Sequence, residues 1–216
     1  METLITMRIS TLTTLFACFF SLCCSAQNMT SVFRNIPKNL TMLIDSIQRQ
    51  DMMNLVKESR SNSIKDKLSG KITLTRFDEN FMELQSGNSS LQIALLSLVN
   101  DSKVICMIQT VCAPVCDSRL NFYTSDWKPL NTQDFIQLAE VSWFVKDDID
   151  KNKEDFINAA KSLDMDLMQY DFDPEKLALR QTYTTPLYFS KEEREMIEPF
   201  LKKESKIFEW KKLGFR

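Results

Sequence analysis

From Gly70 onward, apolar and polar positions alternate with the period-two rhythm of strands, and each run stops at a cluster of turn residues. Ile72 and Leu74 alternate with Thr73 and Thr75, and Asp78-Glu79-Asn80 precedes Phe81-Met82-Glu83-Leu84. Ser86-Gly87-Asn88 leads into the apolar run 91–99, and Asn100-Asp101-Ser102 leads into the run 104–111. Connections this short join antiparallel neighbours, because a parallel crossover needs a dozen or so residues. Val104-Ile105-Cys106-Met107-Ile108 is apolar on both faces, which predicts a central strand covered on both sides; the first two runs are half exposed. Leu120-Asn121-Phe122-Tyr123 predicts a fifth strand, turned at Thr124-Ser125-Asp126, with 127–130 pairing back.

The flanks change period. Pro37 suits a first helical turn, and Ile36, Leu40, Leu43, Ile44 and Ile47 recur at helical spacing until the stripe loses phase near Gln50. Asp51 then suits an N-cap with Met52, Leu55 and Val56 as a new apolar face behind it, which predicts two short helices or one kinked helix, ending in the polar run 59–63. After the meander, Phe135, Ile136 and Leu138 predict a short helix and 153–163 another. Residues 167–172 and 177–183 form a hairpin around Asp173-Pro174-Glu175. Residues 191–203 are a last helix, with Ser190 and Glu193 at capping-box spacing, and 207–210 a closing strand. Segregated runs of this kind predict an α+β fold: an antiparallel meander of about five to eight strands, packed with N-terminal helices and a C-terminal helix-hairpin-helix-strand region.

The first residues carry a different signal. Arg8 is followed by an apolar core of about ten residues, 15–24, half of the roughly twenty that span a bilayer as a helix. Ser25-Ala26-Gln27 closes it, with Cys24 and Ala26 as the small residues of a cleavage site. This is the layout of a cleavable signal peptide, residues 1–26, ahead of one α+β domain, residues 27–216. Phe19-Phe20 continue the apolar core past Cys18, which argues against a lipid-modified cysteine there. The expected location is therefore periplasmic or secreted, with no integral span after cleavage.

Composition narrows the chemistry. The 216 residues carry a formal net charge of −2, which lacks the basic footprint of a nucleic-acid binder. Histidine is absent, which removes Ser-His and Cys-His dyads and the usual zinc sets. Three glycines cannot write a dinucleotide or phosphate-binding loop. No cofactor and no metal site is expected.

Beyond the signal the chain keeps Cys106, Cys112 and Cys116. Cys112 and Cys116 bracket Ala113-Pro114-Val115 and are the disulfide candidate, with plain free thiols as the alternative; Cys106 lies in an apolar run and reads as a core residue. The segment 110–119, followed by Phe122-Tyr123 and Asp126-Trp127, is the densest group of unusual residues. Arg119, Asp126 and Trp127 are the candidate binding residues, against a structural reading in which Asp117 or Ser118 caps a turn and Trp127 packs over the hairpin. Asp147-Asp148-Ile149-Asp150 resembles the start of a calcium loop, but Lys153 and Ala159 stand where the pattern needs Gly and Glu. No catalytic residue is assigned. Asp117, Asp126, Glu140, Asp164, Asp166 and Asp171 are the carboxylates from which a glycosidase-like pair would be drawn.

The signal ending in Ser-Ala-Gln, the helical stretch with Asp51 and Leu55-Val56, Cys112-Ala113-Pro114, Asp117-Ser118-Arg119, Asp126-Trp127-Lys128-Pro129-Leu130, Thr184-Thr185-Pro186-Leu187-Tyr188 and Glu209-Trp210 together resemble a family of exported Bacteroidales proteins known as domain of unknown function 3256. Cys116 departs from the family's usual pattern. The resemblance implies an envelope protein of a Gram-negative gut bacterium and brings no catalytic residues with it.

The expected function is a non-catalytic binding or structural role in the cell envelope, the partner being an unknown envelope protein or a glycan. The alternative is a carboxylate-based hydrolase acting on glycans or cell-wall material, which requires two carboxylates facing each other across a cleft. A third reading, a small-ligand carrier, requires an apolar cavity beside the meander.

Overall fold

Strands β1 (Ser63–Lys65), β2 (Lys71–Phe77), β3 (Phe81–Ser86), β4 (Ser89–Ser97), β5 (Lys103–Cys112), β6 (Cys116–Tyr123) and β7 (Pro129–Leu130) lie in sequence order across one antiparallel sheet. Strands β8 (Met168–Asp173), β9 (Ala178–Tyr183) and β10 (Lys206–Glu209) form a second sheet in the order β10-β9-β8. The architecture is α+β, as the periodicity predicts. The computed structural model describes residues 28–216 other than 42–43, 59–61, 66–69, 162 and 164. The expected signal segment with its cysteines, Leu43, Asp164 and most of the polar run 59–63 lie outside the described residues.

The meander follows from its turns. Gly87-Asn88 joins β3 to β4 as a two-residue loop, with Gly87 at φ 53°, a conformation glycine adopts without steric cost. The register pairs Leu84 with Leu91, Ile93 with Met107 and Cys106 with Phe122. Alternation therefore splits the central strands into two apolar faces. Ile72, Leu74, Met82, Ile93, Ile105 and Met107 pack under the N-terminal helices. Phe81, Leu96, Val104, Cys106, Ile108 and Phe122 pack against Tyr170, Phe172, Leu179 and Phe208 of the small sheet. The result is three layers, with β4 and β5 buried on both sides.

On the first face lie α1 (Met29–Arg34) and α2 (Ser46–Lys57). The expected N-cap at Asp51 is corrected: Asp45 caps α2, accepting from the N–H groups of Ile47 and Gln48, while Gln48 Oε1 accepts from Asp45 N. This reciprocal pair satisfies donors at both ends of the first turn, and Asp51 lies exposed within the helix. Ile47, expected in the apolar stripe, is 71% exposed. The buried face of α2 is Arg49, Met52 and Met53. A buried arginine at a stripe position is what puts the apolar period out of phase.

Among the described residues, Arg49 donates to hydroxyl and carbonyl oxygens. Its Nη1 donates to Thr41 Oγ1 (3.0 Å) and the Ile44 carbonyl (3.1 Å); its Nη2 donates to the Arg34 (3.2 Å) and Ile36 (2.9 Å) carbonyls. Burial lowers its pKa and the field of Asp45 opposes this, and an arginine stays charged through such a shift. The guanidinium thus fastens the end of α1 and the chain on either side of 42–43 to α2.

The small sheet docks through its edge. β8 is an edge strand, so alternate amides point away from β9. Side chains of the large sheet take them up: Met168 N donates to Asp117 Oδ1 (3.2 Å), Tyr170 N to Ser118 Oγ (3.1 Å) and Phe172 N to Gln92 Oε1 (3.1 Å). Thr110 Oγ1 lies 2.7 Å from Ser118 Oγ. Trp210 Nε1 donates to the Ser97 carbonyl (2.9 Å) and ties the far side of the small sheet to β4.

Between the sheets, the helix expected at Phe135, Ile136 and Leu138 is corrected to a 3-10 turn, Thr132–Asp134, followed by extended chain. Its backbone groups go to other partners: Gln181 holds the N–H and carbonyl of Ala139 (2.9 and 2.7 Å), and Phe215 N donates to the Phe135 carbonyl (2.6 Å). Helices α3 (Glu154–Ala160) and α4 (Lys191–Ile197) close a minor core around Val145, Ala159, Ile197 and Leu201. Ser190 and Glu193 form the expected capping box, but α4 gives way to a 3-10 turn, Glu198–Phe200, at Pro199, which has no N–H to continue it.

Replacing Arg49 by Met leaves three carbonyls without their donor. The expected cost is about 3 kcal/mol or more in urea unfolding; a loss below about 1 kcal/mol shows that these bonds do not hold the N-terminal layer.

Candidate functional site

The segment 112–130 does not converge on a single point. Cys112 and Cys116 close the β5–β6 hairpin as a disulfide, S–S 2.02 Å, with a cis peptide between Ala113 and Pro114. Asp117 and Ser118 are engaged by β8. Arg119 is exposed on β6, where its backbone pairs with Gln109, and its side chain has no hydrogen bond or ion pair among the described residues. Asp126 is exposed in the turn that follows Tyr123. Trp127 is buried, at φ 62°, its ring 5.4 Å from that of Tyr123 in the helix-side core. From Arg119 to Tyr123 the strand runs about 13 Å, so Arg119 stands apart from the turn. Trp127 packs, as the structural reading has it, and its Nε1 has no partner among the described residues.

Two of the candidate carboxylates, Asp117 and Asp171, have partners. Gln92 Nε2 donates to Glu83 Oε1 (2.9 Å) and to Asp171 Oδ1 (2.8 Å), bringing two acids onto one amide. Thr75 Oγ1 donates to Glu83 Oε2 (2.9 Å), and Arg180 lies 3.7 Å from Asp171. Glu140 and Asp166 share the wall of a recess with Ser142 and Tyr170. The Tyr170 hydroxyl titrates higher than usual, first because it is buried and second because Asp117 is near. Within the calcium-like segment, Asp150 Oδ1 accepts from Asn152 N (3.0 Å) and Asp147 pairs with Lys202 (3.1 Å). Among the described residues no three His, Cys, Asp or Glu groups are placed to hold a metal ion.

A feature the sequence reading did not place lies at the hairpin end of the large sheet, on the helix side. There an apolar recess of about 320 Å³ has Ile72, Leu84 and Leu91 in its floor and Leu40 and Ile44 in its roof. Ser86, Ser89, Gln109 and Val111 surround its mouth. Register explains it. Ser86 and Ser89 pair with each other, and Ser89 pairs with Val111. Small residues thus occupy helix-facing positions where larger ones would fill the space. The roof is held by Arg49 through Thr41 and Ile44, and Gln109 Nε2 donates to the Leu40 carbonyl (3.3 Å). The available signal was serine at inward positions of otherwise apolar strands, which in a single sequence looks the same as turn chemistry.

Helices, a seven-stranded meander and a docked three-stranded sheet define a three-layer α+β protein. The chain belongs to the family described as protein of unknown function (DUF3256), whose model matches residues 21–215. It is similar to the solved structure of a domain of an uncharacterized protein from Porphyromonas gingivalis W83, at 26% identity and a TM-score of 0.77, over 86% of this chain and 96% of that one. A comparison with curated proteins finds no match. No described helix is long and apolar enough to cross a membrane.

Cys106 is buried between the sheets, and burial pushes its thiol well above the usual range. In a chain starting at Gln27, alkylation of the native protein is expected to label no cysteine at either about pH 7 or about pH 9. Denaturant alone should expose Cys106, and denaturant with reductant all three cysteines. Labelling of Cys106 in the native state, read by intact mass, contradicts its placement.

Proposed function

We propose that this protein is exported to the cell envelope, periplasmic or secreted, and acts there as a non-catalytic binding protein that holds a small apolar ligand. One observation carries the reading. The apolar recess beside the meander is walled on both sides and its roof is pinned by a buried arginine, so it is formed before any ligand arrives. Its volume lies at the lower end of the roughly 300–1,000 Å³ typical of small-molecule sites. The signal-peptide layout of residues 1–26, a basic start ahead of a short apolar core and a small-residue cleavage site, supports the envelope as the place of action.

The hydrolase alternative has less to rest on. Asp117 and Asp171 serve structural partners and Asp126 lies exposed in a turn, while Glu140 and Asp166 share the wall of one recess.

The test is to purify the protein from its own envelope without detergent, extract it with organic solvent and analyse the extract by mass spectrometry. The expected result is a small apolar molecule at close to equal stoichiometry, lost when Ser89 is replaced by Trp. Identical extracts from both proteins contradict the reading. N-terminal sequencing of the same material should begin at Gln27.

A further inference from the structure

The recess has a chemical bias beyond being apolar. No Asp, Glu, Lys or Arg lies among its described lining residues. The nearest buried charge is Arg49, behind the roof. Its two terminal nitrogens are used on Thr41 and on the carbonyls of Arg34, Ile36 and Ile44, and point into the protein's own backbone. A carboxylate or ammonium entering the recess would lose water without gaining an ionic partner, which is unfavourable.

The polar groups at the mouth are of one kind. Ser86 and Ser89 carry hydroxyls and Gln109 an amide, groups that both donate and accept hydrogen bonds. They match a hydroxyl or carbonyl end group. Val111, 55% exposed, adds an apolar lip beside them. The volume equals that of roughly ten waters at about 30 Å³ each, so a ligand of about that many non-hydrogen atoms fills the space.

From these features we infer that the recess takes an uncharged amphipathic molecule, with its apolar body against Ile72, Leu84 and Leu91 and a hydroxyl or carbonyl group at Ser86, Ser89 and Gln109. This rests on the proposal that the recess is the binding site.

The inference is tested by titration calorimetry of the chain from Gln27 with 1-decanol, decanoate and decyltrimethylammonium, each below its aggregation concentration. Decanol is expected to bind at least about tenfold more tightly than either charged analogue. Ser89→Trp should weaken decanol binding about tenfold or more by filling the mouth. Should that variant not fold, Val111→Lys at the exposed lip gives the same readout. Decanoate or decyltrimethylammonium binding as tightly as decanol overturns the preference for an uncharged ligand and leaves the recess as the site. Absence of binding by all three, or binding that neither substitution affects, overturns both the inference and the proposal beneath it.

Discussion

The open edge of β8 is the point on which the two sheets depend. An edge strand placed inside a protein carries amides with no sheet partner, and a buried polar group left unpaired costs about 1–3 kcal/mol. Here Asp117, Ser118 and Gln92 accept from Met168, Tyr170 and Phe172 in turn. Three polar side chains on the large sheet do for β8 what a fourth strand would do, and they fix its register as a strand would. With β8 held, Tyr170 and Phe172 meet the face of the large sheet that carries Phe81, Leu96 and Phe122, and the layer closes over an apolar interface.

That arrangement accounts for much of the polar chemistry in the middle of the molecule. Asp117 and Ser118 lie in the most distinctive stretch of the sequence, yet their oxygens are acceptors for backbone groups. Gln92 uses both ends of its amide, on Phe172 on one side and on Glu83 and Asp171 on the other. Residues whose hydrogen-bonding capacity is used internally are poorly suited to turnover. The recess under Leu40 and Ile44 lies on the opposite face of the same sheet, away from these bonds, where small side chains leave space that the N-terminal layer roofs over.

The meander was legible because each of its strands states its own period and each turn its own chemistry. The prediction of a central strand buried on both faces follows from Val104-Ile105-Cys106-Met107-Ile108 alone. What was not legible depends on distant partners. Gln92, Thr110 and Ser118 stand out as polar residues on apolar strands, but their reason lies in β8, 80 residues from Gln92 and 52 from Ser118. Arg49 disturbed the helical stripe and drew the N-cap to Asp51, because one sequence does not reveal that an arginine will be buried among carbonyls. Trp127 stood open between a ligand contact and a packing residue, since a buried indole and an exposed one look alike without their neighbours.

Amide hydrogen exchange at β8 tests the docking most directly. If Asp117, Ser118 and Gln92 cap the edge, the N–H groups of Met168, Tyr170 and Phe172 exchange as slowly as those of Gln169 and Asp171, which lie between them along the same strand. Exchange of these three amides at the rate of an open edge, with their neighbours still protected, contradicts the account.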